Sequence, residues 1–86
     1  MANKTDINNA WENAKKVRGQ NPNLYRQDPY GNKMFKPSYG KQSEMGWELD
    51  HKNPKAKGGS NLQRNHQALQ WKTNREKSNK YPYNPK

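Results

Sequence analysis

Asp50-His51 sets a carboxylate beside an imidazole, Asn65 follows fourteen residues after His51, and Asn74 nine after that. An ionised Asp oxygen and an Asn carbonyl oxygen together suit one divalent cation that keeps several of its waters. A neutral His beside such a cation can take a proton from an attacking water, while the cation offsets charge on the phosphoryl and leaving oxygens of a phosphodiester. Taken singly, each residue has a duller explanation: an Asp-His pair is usually a hydrogen-bonded surface feature, and most Asn residues sit in turns. The ordered spacing is what favours chemistry. Asn74 adds to it by lying in a helix-like run, where Asn is a mediocre former.

The elements that must position these groups are legible around them. Trp47-Glu48-Leu49-Asp50-His51 alternates apolar and polar side chains and predicts a short half-buried strand, ended by Asn53-Pro54. Lys55-Ala56-Lys57-Gly58-Gly59-Ser60 predicts a loop, since paired glycines carry a large entropy cost inside a regular element. After a turn over 61–64, His66-Gln67-Ala68-Leu69 predicts a second strand. The run from Trp71 to Asn79 predicts a short basic helix that Pro82 and Pro85 cannot continue. Strand, glycine loop, strand and helix can gather a strand end and one helix face around a single point.

Upstream, Ile7, Ala10, Trp11, Ala14 and Val17 recur at helical spacing, predicting a helix over 5–17 with Thr5 or Asp6 as N-cap and Gly19 as stop. Residues 24–27 and 33–36 flank Asp28-Pro29-Tyr30-Gly31 and predict a short hairpin on a type I turn. The expected fold class is therefore α+β, as one domain over residues 1–86, with 81–86 a tail that docks or frays.

Composition narrows the partners. Only 27% of the 86 residues are hydrophobic, so the core is expected to be thin, with Trp47, Leu49, Leu69 and Trp71 packing it. The net charge of +10 draws polyanions, and nucleic acid is the default partner. No long apolar run or basic amphipathic helix with a broad apolar face points to a membrane. Without cysteine, disulfides and thiolate zinc sites are excluded. Met1-Ala2-Asn3-Lys4 leads into polar sequence with no secretory h-region, and the expected location is cytoplasmic.

Trp47-Glu48-Leu49-Asp50-His51, then Pro54, Lys57-Gly58-Gly59-Ser60, Asn65, Leu69, Asn74-Arg75 and Lys77, resembles the HNH endonuclease motif, over a core of about residues 46–80. The resemblance implies a ββα-metal (His-Me finger) core that hydrolyses phosphodiester bonds in DNA, less often RNA, with one divalent metal ion. By position it implies Asp50 as the first metal ligand, His51 as general base, Asn65 as the Asn that steadies the strand loop and the His, and Asn74 as the second metal-binding residue. An Asn in the last place, as in HNN variants, removes a nitrogen ligand, so Mg²⁺ or Mn²⁺ is expected to serve better than Zn²⁺. Ser78 stands where many members carry a further His, and the zinc cysteines of some relatives are missing.

Beside that site, Lys72, Arg75 and Lys77 are expected to hold the nucleic-acid backbone, Arg75 through a bidentate phosphate contact. His66 with His51 forms a rival, zinc-suited imidazole pair. Strand alternation counted from Asn65 puts His66 on the opposite face, which makes it a supporting or substrate-contacting residue instead. The alternative function is a non-catalytic basic nucleic-acid-binding module. A phage packaging or restriction assembly, or a toxin held by an acidic inhibitor, would each suit so short a chain.

Overall fold

The computed structural model describes residues 3–78 and 80–83. Its first element, α1 (Lys4–Glu12), is capped by Asn3, whose side chain accepts the Asp6 N–H at 2.8 Å, rather than by Thr5 or Asp6. The helix buries Ala10 and Trp11 and stops well short of Val17. Arg26 is the reason. Its guanidinium, only 4% exposed, donates to the carbonyls of Glu12 and Ala14 at 3.0 and 3.1 Å, to the Glu12 carboxylate at 3.0 Å and to the Pro22 carbonyl at 2.9 Å. With its last carbonyls taken from the side, the chain leaves the helix, and Lys15–Lys16 becomes strand β1.

The expected hairpin forms from β2 (Tyr25–Gln27) and β3 (Lys33–Phe35), and β1 adds to its edge to give a three-stranded antiparallel sheet. Asp28 builds the turn: one carboxylate oxygen accepts the N–H groups of Tyr30 and Asn32 at 2.9 and 2.8 Å. Gly31 completes it at φ +86°, which a side chain would disfavour.

The second sheet pairs β4 (Trp47–His51) with β5 (His66–Gln70) antiparallel, in a register that sets Leu49 opposite Ala68 and His51 opposite His66. The helix α2 (Trp71–Lys77) follows at once, with Gln70 accepting the Thr73 N–H at 3.0 Å as its cap. The expected helix end at Asn79 lies outside the described residues, as do 84–86 of the tail. Tyr83, in the part of the tail that is described, lays its ring edge-on against Tyr30 at 5.6 Å.

Trp11 and Trp47 are fully buried, their ring centroids 5.0 Å apart, and Tyr39 packs on the far side of Trp47 at 4.8 Å. Ala10, Met34 and Ala68 complete the core, with Leu49 partly buried at its margin. Leu69 is fully buried. Trp71 departs from expectation: it is half-buried outside this core and anchors its indole N–H on the Ser43 carbonyl at 2.6 Å. The architecture is thus α+β, two helices and two small antiparallel sheets, and no described helix is long and apolar enough to cross a membrane.

Candidate functional site

Side chains on β4 alternate between the two helices. Trp47 and Leu49 face the core and α1, whereas Glu48 and Asp50 meet side chains of α2. Where β4 ends, a cleft of about 240 Å³ is lined by Asp50, His51, Pro54, Lys55, Asn74 and Ser78, among others. Four residues expected at a common site therefore line it, Asp50, His51, Asn74 and Ser78, although the His51 ring also borders a second cavity on the α1 side.

Asp50 is 7% exposed and well occupied. One oxygen accepts from the Gln67 amide at 2.8 Å, and the other lies 3.3 Å from the ammonium of Lys77. Lys77, read from sequence as a phosphate contact, is instead 2% exposed and also donates to the His51 carbonyl at 3.1 Å. It lies one turn from Asn74 on the sheet-facing side of α2, so its charge is withdrawn from the surface that a phosphate would approach.

Asn74 donates its amide to Glu48 at 2.8 Å, and Arg75 pairs with the other Glu48 oxygen at 3.0 Å. Burial works to raise the Glu48 pKa, but the hydrogen bonds from Arg75 and Asn74, with the charge of Arg75, together outweigh it and hold the carboxyl below its ordinary range. The hydrogen bond to Glu48 in turn holds Arg75 above its usual value. Because a carboxylate only accepts, the Asn74 NH₂ must face Glu48, and its carbonyl oxygen is the atom left for the cleft. Lys72 is exposed but lines a separate groove of about 440 Å³ with Lys33, Gln70 and Glu76. Lys55, which sequence reasoning passed over as loop, is exposed and lines the cleft.

Asn65 does not begin β5. It closes a 3₁₀ turn over Gln63–Asn65, and from there its side chain clamps the loop. Its oxygen accepts the Asn53 N–H at 2.9 Å, and its amide donates to the carbonyls of Asn53 and Ser60 at 3.0 and 2.7 Å. Gly59 is needed where the loop folds back, because a Cβ there would collide with the Asn53 carbonyl. Gly58 turns the chain at φ +85°.

His51 points its Nε2 at the Asn61 side-chain oxygen, 3.0 Å away, and His66 points its own Nε2 at the same oxygen at 3.2 Å. The two rings meet edge to face with centroids 4.9 Å apart. His66 therefore shares the α1 side of the sheet with His51, opposite the face from which Asp50 meets α2. Alternation counted from Asn65 starts inside the 3₁₀ turn, whereas the register pairs His66 directly with His51. Burial, then the charge of His51, hold the His66 pKa below the ordinary imidazole range, with Lys55 adding to the effect and Asp6 opposing it. Asn61 was not singled out from sequence, since in an Asn-rich chain nothing local distinguishes it from a turn residue.

Among the described residues no three His, Cys, Asp or Glu side chains converge to hold a metal. What the cleft offers is one carboxylate, one amide oxygen and room for water, a donor set that fits a single hard cation retaining part of its hydration shell. Asp50 keeps acceptor capacity beyond its two present bonds, while the Lys77 charge works against a second cation. Neither protein-family models, nor curated proteins, nor solved structures give a match to this chain.

Proposed function

We propose that the chain is a metal-dependent endonuclease of the HNH type, acting on DNA, with β4, β5 and α2 as a ββα-metal core. The observation that carries this reading is the sharing of one cleft of about 240 Å³ by Asp50, His51 and Asn74, beside a loop clamped by Asn65. With its Nε2 3.0 Å from the Asn61 oxygen, an acceptor, His51 would carry its proton there and keep the Nδ1 lone pair as the base for water. A divalent cation, Mg²⁺ or Mn²⁺, held through Asp50 and Asn74, would offset the charge that develops on the phosphoryl and leaving oxygens. Lys55 at the cleft and Arg75 beside Asn74 supply positive charge for the flanking phosphates, without reading bases.

Supercoiled plasmid incubated with the purified protein and Mg²⁺ or Mn²⁺ is expected to be nicked. EDTA or His51→Ala is expected to stop it. Intact plasmid under every metal tried would overturn the reading.

One observation favours a second reading. The buried Lys77 ammonium already neutralises the one carboxylate of the cleft, which suits a basic module that clamps phosphates without cutting. Such a module would bind DNA with steep salt dependence and leave the plasmid intact.

A further inference from the structure

The chain has two histidines, and the fold brings both to one point. They are direct cross-strand partners on β4 and β5, a placement that sets side chains within reach of a common ligand. Both Nε2 atoms are aimed at a single position, now filled by the Asn61 oxygen. Around it lies a cavity of about 210 Å³ on the α1 side of the sheet, more enclosed than the catalytic cleft and lined also by Asp6, Tyr39 and Lys55.

We propose that His51 and His66 form a site for a borderline transition-metal cation, Zn²⁺ in the first instance, separate from the oxygen donors at Asp50 and Asn74. Zinc takes imidazole nitrogen at about 2.0–2.1 Å. A small inward turn of each ring, with the Asn61 amide swinging aside or lending its oxygen as a third donor, brings both Nε2 atoms to that distance. Each neutral ring then carries its one proton on Nδ1 instead of Nε2, so no proton is gained or lost. Water completes the shell, since no third His, Cys, Asp or Glu among the described residues converges with the two rings. Mg²⁺, which prefers oxygen and dehydrates reluctantly, has little to gain from two imidazoles. The pair would thus discriminate between the two classes of ion.

The binding claim stands by itself; its consequence, that Zn²⁺ removes the base and blocks Mg²⁺-supported cleavage, rests on the proposed nuclease function. The experiment is a Zn²⁺ titration of the metal-free protein, followed by the ring resonances of the two histidines in NMR. Both rings should shift together and saturate near one equivalent, whereas Mg²⁺ at the same concentration leaves the His66 ring in place. His66→Gln should weaken Zn²⁺ binding by more than about tenfold, since outer-shell changes alone cost about 10–100-fold. Asn74→Ala should leave it unchanged. A shift confined to one ring, or undiminished affinity in His66→Gln, would overturn the site, and so would loss of Zn²⁺ binding in Asn74→Ala. Because His66 is buried, His51→Gln serves as the second variant and must weaken binding likewise. If the protein cuts no DNA, the nuclease reading fails while the ring titration still decides this one.

Discussion

The Lys77 ammonium lies 3.3 Å from the Asp50 carboxylate, with the two side chains 2% and 8% exposed. Removing one member of such a pair strands the other charge away from water, which typically costs about 3–5 kcal/mol. Against a net stability of about 5–15 kcal/mol for a domain, Lys77→Met should be severely destabilised in urea unfolding. The double variant Asp50→Asn/Lys77→Met, which strands no charge, should recover most of the loss. Under the proposed function, Mg²⁺ should raise the melting temperature of Lys77→Met more than that of the parent, because a cation then replaces the ammonium. Equal shifts would separate Asp50 from metal binding.

His51→Ala should lower the cleavage rate by about 10²–10⁴, the usual contribution of a general base, with DNA affinity nearly unchanged in a filter-binding or anisotropy assay. A parallel fall in affinity would reassign His51 to substrate binding.

Asn74→Ala removes a neutral oxygen from the cleft and one donor from Glu48. The Mg²⁺ concentration giving half-maximal cleavage should rise, with the rate at saturation less affected. An unmoved metal titration would take Asn74 out of the ligand set.

Asn65 satisfies three backbone groups of the loop between β4 and β5. Asn65→Ala should cost about 1–3 kcal/mol, as for unpaired buried polar groups, and the loss should concentrate locally. Hydrogen exchange should accelerate across residues 53–61 before it does in β2 and β3. Uniform acceleration would show that the side chain holds the whole domain rather than this loop.

The pH dependence of stability follows from His66, whose pKa is held below the ordinary 6.5, first by burial. Below about 6.5 the unfolded chain takes up a proton that the folded chain still refuses, so the unfolded state binds more protons there. The contribution is fully present above that value and is lost as pH falls toward the lower folded pKa. Melting temperature should therefore drop from pH 7 to pH 5, and His66→Gln should flatten the drop. The interval stays above the range in which Glu48 titrates, so the two groups are read apart. A variant with the parent's slope would assign the effect elsewhere.

What the sequence disclosed depended on how local the cause was. The β4 strand and the hairpin were legible because alternation and Asp-Pro-Tyr-Gly turn chemistry act within a few residues. The end of α1 was hidden, since Arg26 captures its carbonyls from fourteen positions away. The pairing of His66 with His51 was hidden, as a 3₁₀ turn has no two-residue period to count from. Lys77 was legible in principle: it stands three residues from Asn74 on one helix face, but its charge suggested a solvated side chain. Spacing singled out Asp50, His51 and Asn74, which line one cleft, while their catalytic roles are for the plasmid assay to decide.

Asp28 is 1% exposed, and besides shaping the hairpin turn it accepts the Gln70 N–H at 3.1 Å, at the junction of β5 and α2. Asn32 from the same turn reaches Thr73 in α2 at 3.1 Å. The hairpin is thus riveted to the far end of the chain, so the C-terminal portion is no portable cassette. Spliced alone into a fusion protein, it would arrive with a backbone donor bereft of its acceptor and Trp47 stripped of Trp11. Engineers wishing to borrow the cleft must transplant the hairpin and first helix as well.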